Sequence, residues 1–138
     1  MQACLAVGGG RPDLDAASLA AVLAAFYAAV TRDPLLAPSF ADLDLPAHLP
    51  QIERFWATTV FGARTYDGNV FRPHLTMPGL TPAHFARWVA VLEATVDAAH
   101  AGPDAERMKA LAHRVAYSMQ LRLGLTPVSA AFHAAAPP

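Results

Sequence analysis

A chain of 138 residues is long enough for one domain with a real core, and 54% apolar against 15% charged residues argues against disorder. The formal net charge is -1, and the lysines and arginines are scattered, so the chain carries no electrostatic footprint for nucleic acid or for an anionic membrane surface. The lone cysteine, Cys4, excludes an intramolecular disulfide and a cysteine-rich metal site, which leaves histidine as the soft-nitrogen ligand type and suits a reducing cytoplasm.

The start, Met1 to Gly8, has no basic residue ahead of its short apolar run and reads as a poor secretory signal. Residues 1–12 are expected to be a flexible segment, 13–124 the folded domain, and 125–138, rich in Ala and Pro, a poorly ordered tail. No later run is long and uninterrupted enough to span a bilayer.

Within the domain, Leu19, Val22, Leu23, Phe26 and Val30 recur at three- and four-residue spacing, which predicts an amphipathic helix from about Asp13 to Arg32. Asp13 or Asp15 is available as its N-cap, and Pro34 stops it near Asp33. A proline-rich turn carrying Phe40 follows. The next helix is expected from about Pro46, because the missing N–H of Pro50 is cheap only in a first turn, where donors have no partner anyway. His48, Ile52, Phe55, Trp56 and Thr59 would share one face, with Gly62 as the stop.

Tyr66 to Asn69 reads as a turn, and Pro73, Pro78 and Gly79 put His74 on a short constrained element. Thr81-Pro82 is a strong helix start, with Phe85, Trp88, Leu92 and Val96 on one face to about Ala99. Gly102-Pro103-Asp104 makes a break, and a last helix to Leu123 would bury Met108, Leu111, Val115 and Met119 before Gly124 ends it. No segment shows sustained period-two alternation, so the expected class is all-α, with four main helices packed as a bundle or as a globin.

Taken singly, the polar residues have ordinary explanations. His74 reads as a surface or core histidine, Tyr27 as a core tyrosine, and Trp88 as a packing residue. Phe40, Phe55 and Trp56 would be core in any helical fold, and Met77 and Met119 are filler rather than iron ligands. His84, His100, His113 and His133 have no supporting pattern and are read as solvent-facing or tail residues.

Their order carries more information. Phe26-Tyr27, then Val30 and the run Asp33 to Phe40, followed by His48 to Trp56, by Tyr66-Asp67-Gly68-Asn69 with Arg72-Pro73-His74-Leu75, and by Phe85 to Trp88, resembles the truncated haemoglobins over roughly Leu19 to Leu123. The third subgroup fits best, because Tyr27, His48 and Trp88 match its distal tyrosine, histidine and tryptophan, and the paired-glycine motifs of the other subgroups are lacking.

The resemblance implies a truncated globin, a two-over-two helical sandwich around haem, with His74 as the metal ligand. There is no Cys-x-x-Cys-His sequence, so the cofactor would be haem b held non-covalently. Phe40, Ile52, Phe55, Leu75, Met77, Trp88 and Met119 are candidates for its slot and Arg72 for a propionate partner. Bound dioxygen carries partial negative charge, so Tyr27 O–H and Trp88 N–H are the donors expected to hold it. His48 would either reach the ligand or swing outward as a gate.

Two function classes compete with a carrier of dioxygen and related diatomic ligands. One is a haem enzyme, peroxidase-like or a nitric oxide dioxygenase, supplied with electrons by a separate reductase. The other is a haem-free helical module whose apolar groove takes a partner segment. Oligomeric state is open at this stage.

Overall fold

The computed structural model describes residues 11–41, 44–62 and 79–125. Among them are four α-helices, α1 (Ala16–Val30), α2 (Leu45–Phe61), α3 (Pro82–Ala99) and α4 (Pro103–Arg122), a short 3-10 turn at Ala37–Phe40, and no strand. This is the all-α architecture expected. α3 and α4 form an antiparallel pair, α1 packs on α3 and on α2, and α2 closes against α4. No described helix is long and apolar enough to cross a membrane.

The helix boundaries follow local chemistry. Asp15 caps α1: its carboxylate accepts the Ser18 N–H at 2.8 Å while Ser18 Oγ accepts the Asp15 N–H at 2.9 Å, a reciprocal box that satisfies two otherwise unpaired donors. The helix therefore starts at Ala16, with Asp15, one of the two expected candidates, as its cap. At the far end of the molecule, Gly124 takes a left-handed φ of 76°, and Leu125 N–H reaches back to the Gln120 carbonyl at 2.9 Å to close α4.

α2 departs from expectation. Its N-cap is Asp44, so Pro50 lies past the first turn, and the Pro46 carbonyl lacks the N–H that residue 50 would normally give it. The expected shared face is also divided: Trp56 is buried, Ile52 and Phe55 are half-buried, and His48 and Thr59 are exposed. On α4 the closest packing is made by Ala105, Ala112 and Ala116 with Met108 and Met119, while Leu111 and Val115 are half-buried. Small side chains on that stripe let neighbouring helices approach closely.

Three histidines read as solvent-facing hold elements together. His100, only 7% exposed, ends α3 and places its Nδ1 3.1 Å from the Pro12 carbonyl. His84 accepts the Thr81 N–H at 3.1 Å in the start of α3. His113 on α4 meets Glu93 on α3 at 2.9 Å. His133 lies outside the described residues.

Asp13 closes the turn between α3 and α4. Its two carboxylate oxygens accept the N–H groups of Asp104 and Ala105 at 3.0 and 2.9 Å, capping a helix distant in sequence. Those bonds, led by the one from Asp104, outweigh desolvation and hold its carboxyl below the usual range. Gly102, with φ of 145°, lets the chain pass beneath: a Cβ there would lie 2.5 Å from Asp13 Cγ.

Candidate functional site

α1, α2 and α3 converge on a group of aromatic side chains. Phe26 and Tyr27 stand on the last turns of α1, where the three- and four-residue spacing turns both inward. Trp56 comes from α2 and Trp88 from α3, and Phe40 arrives on the 3-10 turn that begins after Pro34 breaks the chain direction. Phe26 meets Tyr27 edge-on with centroids 4.7 Å apart and Trp88 at 5.7 Å; Tyr27 meets Phe40 at 5.9 Å. Trp56 stacks on Trp88 with centroids 6.5 Å apart and planes inclined by 23°, and Phe55 touches Trp56 edge-on at 5.3 Å. These spacings fall within the range in which aromatic pairs attract beyond simple burial.

Tyr27 is the polar group within this apolar surround. Burial pushes its phenol pKa far above the ordinary value, and a hydrogen bond from Trp88 offsets that only in part. The phenol is therefore neutral at any physiological pH. An indole nitrogen can only donate, so the Trp88 N–H points at the Tyr27 oxygen and the Tyr27 proton is the donor left over.

A latch next to Trp88 fixes the relation of α3 to α1. Arg87 Nη1 bonds Asp33 Oδ2 at 2.9 Å, and the other Asp33 oxygen accepts the Leu35 and Leu36 N–H groups at 2.9 and 3.2 Å. Burial works against ionisation of Asp33, but the Leu36 and Leu35 N–H groups and Arg87 together leave its carboxyl below the usual range. The Asp33-Pro34 pair had signalled only a helix stop; nothing local in the sequence points to a partner 54 residues away.

Of the remaining expected site residues, Phe40, Ile52 and Phe55 are half-buried and pack against the same core cluster as Tyr27 and Trp56. Met119 belongs to a second cluster with Phe85, Val89 and Ala116, and Trp88 touches both clusters. His48 is exposed in the first turns of α2. His74, Arg72, Leu75 and Met77 lie outside the described residues. Among the described residues no group of three His, Cys, Asp or Glu side chains could hold a metal ion, so an iron ligand set built from protein carboxylates or thiolates is not formed there.

The side chains gathered here are of the kind that would contact a flat apolar cofactor. Phe40, Leu49, Ile52, Phe55 and Trp88 all contact the core, yet each keeps an appreciable part of its surface uncovered by protein. Large apolar side chains left half-covered side by side are what the wall of a ligand slot presents. A concavity lined by Thr59, Val60, Phe61, Gly62, Asp104 and Arg107 is more polar and includes none of Tyr27, Phe40, Trp56 or Trp88.

No family model matches the chain. The chain is similar to the group 3 truncated hemoglobin of Campylobacter jejuni, with 28% identity over 86 residues, spanning 58% of this chain and 68% of that protein. The crystal structure of a group III truncated hemoglobin from Campylobacter jejuni superimposes with a TM-score of 0.72 at 24% identity, covering 80% of this chain and 91% of the other.

Proposed function

We propose that this chain, similar in sequence and in fold to a truncated hemoglobin of the third subgroup, is a globin-type haem protein that reversibly binds dioxygen and related diatomic ligands at non-covalent haem b. The observation that carries this reading is the buried Tyr27 phenol, neutral and backed by the Trp88 N–H, in a slot whose apolar walls are left half-covered.

Haem iron supplies an open coordination position at which a diatomic ligand becomes partly negative. The protein does the rest. His74 is the proposed iron ligand, its neutral imidazole being the appropriate donor, and Arg72 the partner of a propionate. Phe40, Ile52, Phe55 and Trp88, with Leu75, Met77 and Met119, exclude water from the slot. Tyr27 donates its proton toward the ligand, and Trp88, by donating to the same oxygen, polarises that O–H and strengthens the bond it makes. His48 stands in the first turns of α2 on the solvent side, a position suited to a gate rather than to the first contact with ligand.

Absorption spectra of the wild type and His74→Gly, each expressed with haem precursor and recorded in ferric, reduced and carbon-monoxide-bound forms, test the reading. A haem spectrum in the wild type with a histidine-ligated signature that the variant loses supports it. A wild type that takes up no haem, or a variant whose reduced spectrum is unchanged, rejects it.

A further inference from the structure

Trp56 has no part in the binding scheme above, yet it is 2% exposed and stacked on Trp88, with rings inclined by 23° and centroids 6.5 Å apart. We propose that Trp56 and Trp88 form a redox-active pair, the electron donor this protein offers to a one-electron oxidant, and that the pair spares the adjacent Tyr27.

The three side chains differ in how readily each gives up an electron. A phenol that loses an electron must shed its proton at once, so it needs a base within reach. The Tyr27 hydroxyl has the Trp88 N–H as its partner, a donor, and no acceptor for its proton among the described residues. An indole can lose an electron and keep its proton. The cost is a positive charge in an apolar setting, and the electron-rich face of a second indole is the arrangement that lowers it. Trp56 supplies that face to Trp88. The nearby fixed cation, Arg87, is paired with Asp33 at 2.9 Å and so repels a charge on Trp88 less than a free guanidinium would.

The step balances simply. One electron leaves the pair, the oxidant is reduced by one electron, and no bond forms or breaks. The indole proton stays on its nitrogen, because the Tyr27 oxygen it points at belongs to a neutral phenol and is too weak a base to take it. The product is an indole radical cation on one ring of the pair, with the second indole beside it. Oxidising equivalents arising beside Tyr27 would thus pass through Trp88 to the buried Trp56, leaving the Tyr27 O–H intact for ligand. The pair needs no haem to be oxidised, so its test stands whether or not the reading above survives.

The chain contains two tryptophans, so any tryptophan radical reports on this pair. Photogenerated tris(bipyridine)ruthenium(III) is applied to the full-length protein, with any haem in its ferric state, and the trapped radical is read by electron paramagnetic resonance and transient absorption. Wild-type samples carry either deuterated tryptophan or deuterated tyrosine, which leaves the fold untouched. The expected result is a protonated indole radical whose spectrum narrows with tryptophan label and not with tyrosine label. In Trp56→Phe the radical yield should fall about two- to tenfold, the scale of one stacked aromatic contact. A signal that follows the tyrosine label, or a neutral indole radical formed at once, would each overturn the proposal. So would an unchanged yield in a folded Trp56→Phe protein.

Discussion

The two ends of the α3–α4 pair are built on opposite principles. At the end where α3 turns into α4, polar groups are matched. Asp13 takes two N–H groups of α4, the Pro12 carbonyl meets both the Ala101 N–H at 3.0 Å and His100, and Gly102 leaves room for the crossing chain. At the other end, where α3 begins and α4 finishes, aromatic rings crowd around a buried phenol, and Gln120 on α4 keeps a buried Oε1 with no hydrogen-bond partner among the described residues. Unpaired buried acceptors are costly, and folded proteins tolerate few of them. The first end is a frame; the second holds the groups suited to binding. Stability and ligand handling should therefore respond to different substitutions.

Tyr27→Phe sharpens this contrast most. Under the proposed function it removes a hydrogen bond to a partly charged ligand, worth about 1.5 to 3 kcal/mol, so ligand dissociation measured by stopped-flow should accelerate about ten- to a hundredfold. The melting temperature should fall only by what the lost Trp88 partner is worth, about 0.5 to 1.5 kcal/mol, because the ring and its packing remain. Trp88→Phe acts one bond further back and should accelerate dissociation less. An effect of Trp88→Phe larger than that of Tyr27→Phe would mean that Trp88 meets the ligand directly.

Gly102→Ala tests the frame. Its φ of 145° lies where side chains are strained, and its Cβ would intrude on Asp13, so unfolding in urea should show a loss of about 1 to 3 kcal/mol. Ligand kinetics should be unchanged; a shift in dissociation comparable to that of Tyr27→Phe would break the division between the two ends.

Asp13 gives the frame a pH dependence. Its carboxyl sits below the usual value in the folded state, so it contributes stability above the unfolded value near 3.8, and that contribution is lost as pH falls through the lower folded value. Asp13→Asn keeps an acceptor for the α4 cap while removing the charge. Its melting temperature should fall less steeply below pH 4 than the wild type's. Asp15 and Asp33, also held low by hydrogen bonds, leave some acid sensitivity in place. Matching acid profiles for wild type and Asp13→Asn would show that the charge of Asp13 contributes nothing to folding.

The smallest effect is expected at Gln120. Exchanging it for Met relieves an unpaired acceptor but gives up the bond from Nε2 to the Ala116 carbonyl, so the net gain should be about 1 kcal/mol or less. A clear loss on chemical unfolding would show that Oε1 finds a donor in solution.

The sequence by itself determined the helices and where most of them begin and end, because those signals act over a few residues. The Asp15 box with Ser18, Thr81-Pro82 before α3, Pro34 after α1, and the glycines at 62 and 124 all lie within one turn of the groups they satisfy. The periodic apolar residues of α1 and α3 likewise face the core as their spacing required. Pro50 shows the limit of such signals, since a helix that begins one residue before Pro46 carries it in its interior and packing absorbs the lost hydrogen bond. Only the tertiary structure decided that Asp13 caps α4, that His100 is buried against Pro12, and that Trp56 stacks on Trp88. The same holds for the Trp88 N–H, which is turned onto Tyr27. Each of these joins residues dozens of positions apart, and a side chain that can satisfy several partners is assigned to one only when the helices carrying them are packed.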